Sequence, residues 1–264
     1  MENFKFKKSF GQNFLQDKNI IEKIVNKTRI LPNSLIIEVG PGSGALTKEL
    51  SKVGEKVLSY EIDTRLEDTL DENLKDCHNI EVIYDDFLNR DILGDIKEFK
   101  YSNIYFVANI PYYITTPIIM KLIESKINFK AITIMIQKEV ADRFSAVPKT
   151  KNYGSITVFL NYYYDIEKLL FVSRNAFIPK PNVDSEVISL REKQVKKTVL
   201  NEDLFFKLVR DSFKYKRKNI RNNLKNYDLK IIESVLKKYN MDLTSRAEEL
   251  SVDIFIDIAN ALFK

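Results

Sequence analysis

Apolar runs of strand length recur along the chain at 35–39, 56–60, 80–84, 104–108, 131–136 and 185–190. Their β-branched and aromatic content predicts buried strands. Between them apolar residues recur at helical spacing: Ile20, Ile21, Ile24 and Val25; Leu46, Leu50 and Val53; Leu66, Leu70 and Leu74; Ile118, Ile119, Leu122 and Ile123. Pro117 suits the first position of the last of these helices, where a missing N–H costs nothing. Residues 137–144 read as another helix, with Glu139 and Arg143 an i,i+4 pair. Residues 155–164 and 167–172 look strand-like, and 175–181 breaks regular structure with two prolines. Strands alternating with helices predict an α/β fold on a mostly parallel, doubly wound sheet.

From about residue 196 the pattern changes. Leu204, Phe205, Leu208, Val209 and Phe213 follow helical spacing, and 231–239 and 252–263 read as further helices. The expected organisation is a large domain over 1–195 and a small all-helical domain over 196–264.

The 264 residues, 44% of them hydrophobic, are enough for both. The net charge of +5 is too small to name a partner, but its placement is uneven. Lys5, Lys7 and Lys8 form a basic arm ahead of a docked Gly-Gln-Asn-Phe-Leu segment. Lys214, Lys216, Arg217, Lys218, Arg221 and Lys225 lie in a stretch without an acid. The single cysteine rules out an internal disulfide and points to a reducing cytoplasm. Cys77 and His78 are adjacent, but with no other Cys or His a zinc site of those ligands is excluded, and no metal is expected. A nucleophile–histidine centre could use only His78, which nothing nearby orients. The first residues carry no apolar run, so no secretory leader is expected. No apolar stretch approaches the roughly 20 residues needed to span a membrane.

Candidate chemistry gathers at strand ends. The strand at 35–39 runs into Gly40-Pro41-Gly42-Ser43-Gly44-Ala45 and then a helix. Such a turn lets backbone pass close to a ligand and offers the unpaired N–H groups of a helix start. The spacing fits either a loose dinucleotide fingerprint or the loop of an S-adenosylmethionine-dependent methyltransferase. Glu61 ends the next strand, about 20 residues past the loop, where a carboxylate suits ribose hydroxyls. Asp85 and Asp86 end the third, where an acid can accept from an adenine amine. Asn109-Ile110-Pro111-Tyr112 ends the fourth. A planar amide, a carbonyl exposed by the following proline and a flat ring suit a planar heterocycle with an exocyclic amine. Ligands of such sheets sit at the carboxyl ends of the strands, where all these groups fall.

Four blocks of the sequence together resemble the ribosomal RNA adenine-N(6) dimethyltransferases: Phe10-Gly11-Gln12-Asn13-Phe14-Leu15, Glu38-Val39-Gly40-Pro41-Gly42-Ser43-Gly44, Asn109-Ile110-Pro111-Tyr112, and the block from Phe177 to Ser185. The resemblance covers nearly the whole chain. Lys216-Arg217-Lys218, Arg221-Asn222-Asn223-Leu224 and Arg246-Ala247-Glu248-Glu249-Leu250 look like the KsgA branch, which acts on two adjacent adenines near the 3′ end of small-subunit rRNA. The Erm branch, acting on large-subunit rRNA, and a non-catalytic assembly factor are the alternatives. Asn13 stands where many relatives carry histidine, and Ile110 where many carry leucine.

The resemblance implies a Rossmann-like methyltransferase sheet and S-adenosylmethionine as cofactor. Asn13, Leu15, Gly40, Gly42, Glu61, Asp86 and Asn109 would contact it. Asn109 and the Ile110 carbonyl, with Pro111, would hold the target amine, and Tyr112 and Phe177 would sandwich the base. Lys214, Lys216, Arg217, Lys218 and Arg221 would bind RNA. The implied partner is the small ribosomal subunit and its rRNA, met by a cytoplasmic monomer without metal or membrane.

Overall fold

The structure, a computed structural model, describes residues 13–15, 17–194 and 197–264. The basic arm and the expected boundary at 195–196 lie outside the described residues. In chain order the elements are β1 (Phe14–Leu15), α1 (Lys18–Thr28), β2 (Ser34–Val39), α2 (Ala45–Ser51), β3 (Lys56–Tyr60), α3 (Glu67–Leu74), β4 (Ile80–Ile83) and α4 (Ile92–Ile96). They continue with β5 (Asn103–Asn109), α5 (Thr115–Glu124), β6 (Ala131–Gln137), α6 (Lys138–Phe144), α7 (Ser155–Tyr163), β7 (Tyr164–Val172), β8 (Phe177–Ile178) and β9 (Ser185–Glu192). The last helices are α8 (Glu202–Phe213), α9 (Ile220–Asn223), α10 (Leu229–Lys237) and α11 (Val252–Phe263).

The described chain forms two compact units. The first comprises the residues up to Ala141 together with Glu167–Glu192. Its sheet has seven strands in the order β4-β3-β2-β5-β6-β9-β7. The neighbours from β4 to β6 are parallel, and β9 runs antiparallel to β6. Every residue of β2 is buried, as is β6 up to Ile136, which is why these strands read as near-continuous apolar runs. Asp17 caps α1, accepting from the Asn19 and Ile20 N–H groups at 2.9 and 3.2 Å. The helix expected to begin at Pro117 begins two residues earlier, at Thr115. Pro117 still falls in its first turn, where backbone N–H groups have no intrahelical acceptor. A second, two-stranded sheet pairs β1 with β8, Phe14 opposite Ile178 and Leu15 opposite Phe177.

The second unit comprises Asp142–Ile166 and Lys193–Lys264 and is mainly helical. Its core joins Val158, Phe159 and Tyr162 to Phe205, Leu208, Val235, Leu236 and Phe255. Asn201, Asp228 and Ser251 cap α8, α10 and α11. The strand expected at 155–164 is the helix α7, with only Tyr164 entering β7. Its β-branched and aromatic content favours a strand, but Val158, Phe159 and Tyr162 recur at helical spacing and bury one face. Tertiary packing of that face outweighs local propensity. The Gly154 N–H, donating to Thr157 Oγ1 at 3.2 Å, fixes the start. Among the described residues no helix is long and apolar enough to cross a membrane.

Candidate active site

Parallel register brings four strand ends into a row. Val39 lies opposite Tyr60, Tyr60 opposite Ile83, and Ile37 opposite Phe106. Past the strands, Gly40 N donates to the Tyr60 carbonyl and Glu61 N to the Ile83 carbonyl, each at 2.9 Å. Asp86, Glu61, Gly40 and Asn109 therefore stand in that order along one end of the sheet. All four line a single cavity of the first unit.

The glycine loop is built for close approach. Gly40, Gly42 and Gly44 have φ of 72°, 61° and 81°, in the left-handed region that side chains disfavour. A Cβ on Gly42 would lie 2.5 Å from Cε1 of Phe14. The ring of β1 is thus laid directly on the loop, and the cavity runs beneath both.

Two buried carboxyls flank the loop. Glu61 is 4% exposed, and its Oε1 accepts from Asp63 N at 2.9 Å while its Oε2 accepts from Gly42 N at 3.2 Å. Burial pushes the Glu61 carboxyl above the usual carboxylate range, and these backbone donors oppose the shift. Glu38, at the end of β2, accepts from the Ser59 hydroxyl at 2.8 Å. Burial pushes it up to about 7, against the pull of the Thr47 and Ser59 hydroxyls.

On the other side of the loop, Asn109 Nδ2 donates to the Asn13 carbonyl at 3.3 Å. That bond leaves its Oδ1 as the remaining acceptor. Ile110 and Pro111 continue the wall, and the turn Tyr112–Ile114 is closed by Ile114 N donating to the Pro111 carbonyl at 3.1 Å. The Tyr112 hydroxyl and Ser185 Oγ are 2.8 Å apart, which fixes the ring. Asp86 Oδ1 accepts from Leu88 N at 2.9 Å. Lys121 Nζ braces the same turn, donating to the Leu88 and Arg90 carbonyls at 3.0 and 2.7 Å.

Asn13, Leu15, Gly40, Gly42, Glu61, Asp86, Asn109, Ile110, Pro111 and Tyr112 thus all reach the cavity wall. Phe177 does not. It is 2% exposed and packs with Leu15, Val172 and Val187, so the expectation of an open stacking ring is corrected. Phe177 lies opposite Leu15 in the β1–β8 pair, and both belong to one buried cluster. The lining residues with no role assigned from sequence include Phe14, Glu38, Ile62 and Tyr113. Tyr113, 59% exposed beside Tyr112, carried a signal in its doubled tyrosine. The contact of Phe14 with Gly42 carried none, because it joins segments far apart in sequence.

Lys214, Lys216, Arg217, Lys218 and Arg221 are in the second unit and all are exposed. Most of them sit on the turn between α8 and α9 rather than on a continuous helix.

A family model described as ribosomal RNA adenine dimethylase matches residues 3–264. The chain belongs to the ribosomal RNA adenine dimethylase family. Proteins named ribosomal RNA small subunit methyltransferase A are close relatives of this dimethylase. The one from Clostridioides difficile (strain 630) is 46% identical over 265 residues, covering 98% of this chain and 92% of its own. That of Streptococcus thermophilus (strain ATCC BAA-491 / LMD-9) is 45% identical over 269 residues, with the same coverage. Among solved structures, a dimethyladenosine transferase from Plasmodium falciparum matches with a TM-score of 0.78 at 26% identity, over 93% of this chain and 95% of that one. The 23S rRNA methyltransferase ErmE matches with a TM-score of 0.75 at 28% identity, over 96% of this chain and all of its own. The fold is therefore the Rossmann-like α/β fold of methyltransferases, and the cofactor of the dimethylase is S-adenosylmethionine.

The cavity suits that cofactor. It offers a buried carboxylate for hydroxyls, a glycine cradle that a single Cβ would fill, and apolar walls from Phe14, Leu15, Ile62 and Leu88 for a heterocycle.

Proposed function

We propose that the enzyme dimethylates the exocyclic amines of two adjacent adenines near the 3′ end of small-subunit rRNA, as a cytoplasmic monomer acting during ribosome assembly. The small-subunit assignment is supported by relatives of that name at 45–46% identity, against 28% for ErmE. The observation that carries the chemistry is the Asn109–Asn13 hydrogen bond, which sets the Asn109 amide so that Oδ1 is its remaining acceptor.

Asn13, Leu15, Gly40, Gly42, Glu61, Asp86 and Asn109 would hold S-adenosylmethionine, with Glu61 on the ribose and Asp86 on the adenine. The bound cofactor supplies a methyl group on a positively charged sulfur. An adenine amine is a poor nucleophile, because its lone pair is delocalised into the ring. In the first transfer Asn109 Oδ1 and the Ile110 carbonyl would accept hydrogen bonds from its two N–H groups and favour a pyramidal nitrogen with a directed lone pair. In the second one N–H remains to donate, and after each transfer the methylated nitrogen loses its extra proton to water. Pro111 stiffens that carbonyl, and Tyr112 offers its ring to the flipped base. Phe177, opposite Leu15 in the β1–β8 pair, contributes by packing in the buried cluster that holds Leu15. Positioning and electrostatics carry the rate, so no strong general base is required. Lys214, Lys216, Arg217, Lys218 and Arg221 hold rRNA phosphate.

Mapping of methylated adenines on both rRNAs, after incubation with each unmodified subunit, tests this. Methylation confined to adjacent small-subunit adenines is expected. Methylation of large-subunit rRNA, or of neither, overturns it.

A further inference from the structure

Asn223, the last residue of α9, spends its whole side-chain amide on one turn. Its Oδ1 accepts the Tyr215 N–H at 3.2 Å. Its Nδ2 lies 2.8 Å from the Ser212 carbonyl, 3.2 Å from that of Tyr215 and 3.3 Å from that of Lys218. An amide has two N–H groups, so they are shared among the three carbonyls. The turn between these contacts presents Lys214, Tyr215, Lys216, Arg217 and Lys218, all exposed.

The rest of the turn is pinned from the same unit. Lys218 N donates to the Tyr215 carbonyl, and Ile220 N to that of Ser245, each at 2.8 Å. Arg221 N donates to the Leu243 carbonyl at 3.0 Å, and Asn219 Oδ1 caps α9 by accepting from Asn222 N at 3.1 Å. Lys216 Nζ reaches the Lys151 carbonyl at 2.7 Å.

Like charges packed into so short a turn repel one another and favour an open loop. The clasp opposes that tendency without adding an anion that would neutralise the surface. We infer that Asn223 is a positioning residue for rRNA binding: it holds the cations of this turn at a fixed spacing, so that they meet successive phosphates already ordered. The inference rests on the assignment of the basic turn as an rRNA contact. Ordering a loop only on binding costs affinity, and an ordered one avoids that loss. Asn223 touches no phosphate itself. It also carries no charge, so its effect is separable from the count of cations.

The test is the dissociation constant for unmodified small subunits as a function of salt, with three variants beside the full-length protein: Asn223→Ala, Asn223→Ser, and Arg217→Glu combined with Lys218→Glu. Asn223→Ala should raise the dissociation constant about ten-fold and reduce the slope of log affinity against log salt by about one, the loss of one phosphate contact at unchanged net charge. Affinity for S-adenosylmethionine, which binds in the first unit, should not change. A merely structural asparagine would lower the unfolding temperature and leave the salt slope as it is. If Asn223→Ala fails to fold, Asn223→Ser, which keeps an oxygen for the Tyr215 N–H, carries the same comparison. Wild-type affinity and slope in both Asn223 variants, with weakened binding by the double charge reversal, overturn the clasp and leave the basic turn as an rRNA contact. Unchanged binding by the charge reversal overturns both.

Discussion

Glu61 Oε2 accepts the N–H of Gly42 at 3.2 Å, so the carboxylate that ends β3 is fastened to the loop that follows β2. One side chain thus serves two ends of the cavity. Replacing it with alanine would remove the acceptor proposed for ribose hydroxyls and loosen the glycine loop together. Glu61→Ala should weaken S-adenosylmethionine binding by about 1.5–3 kcal/mol, the range for hydrogen bonds to a charged group. The fold should persist, as judged by circular dichroism. Calorimetry giving wild-type affinity would remove Glu61 from the cofactor site.

Glu38 gives the enzyme a pH dependence of defined sign. Its carboxyl rises from 4.5 to about 7 on burial, so the folded chain holds this proton more tightly than the unfolded chain does. Its contribution to stability is full below about pH 4.5 and is lost as pH rises through about 7. Glu38→Gln cannot ionise and should escape that loss, gaining on wild type by about 3 kcal/mol at most as the solution is made alkaline. Unfolding temperatures of both proteins across neutral pH read the difference. A constant offset at every pH would show that Glu38 does not titrate there.

At Gly42 the expected effect is steric. A Cβ would lie 2.5 Å from the Phe14 ring, and φ of 61° already disfavours a side chain. Gly42→Ala should push Phe14 aside and carry Asn13 with it, loosening the bond that orients Asn109. Stability should fall by roughly the 1 kcal/mol that such a backbone conformation costs an alanine, and cofactor affinity and methyl transfer should both fall as Phe14 is displaced. Isothermal binding and single-turnover transfer measured on one preparation test this, and a variant indistinguishable from wild type in both contradicts the contact.

The two aromatic residues should separate by assay. Tyr112 lines the cavity and Phe177 is buried behind it. Tyr112→Ala should slow single-turnover methylation more than it weakens subunit binding, by the roughly 1–3 kcal/mol of one base–ring stack. Tyr112→Phe keeps the ring and loses the bond to Ser185, about 1 kcal/mol. Phe177→Ala should instead destabilise the fold by about 3–5 kcal/mol through an unfilled cavity, visible in thermal unfolding. A Phe177→Ala protein of wild-type stability with impaired transfer would return that ring to the base-binding site.

The strands were legible where a mostly apolar run meets a polar or glycine-rich end, as at residues 104–108 before Asn109. The same feature made the site legible, because catalytic groups in a parallel sheet cluster at those ends. Legibility failed where packing decides. Ser155–Tyr163 has strand composition and a helical burial pattern, and only the core of the second unit selects between them. The antiparallel direction of β9 and the pairing of β1 with β8 are likewise contacts between distant segments, which local pattern does not encode. The burial of Phe177 is of the same kind: its motif is local, but its neighbours in the buried cluster come from distant segments, Leu15 among them.

The pairing of β1 with β8 also bears on the timing of synthesis. A ribosome delivers Phe14 and Leu15 far earlier than their partners Ile178 and Phe177. Until then β1 has no strand to pair with. Domains otherwise begin to fold from the N-terminus as they emerge. A nascent chain halted before residue 178 thus carries every described residue that lines the cavity, yet it cannot complete the β1–β8 pair, and β9, which lies between β6 and β7 in the sheet, is still to come.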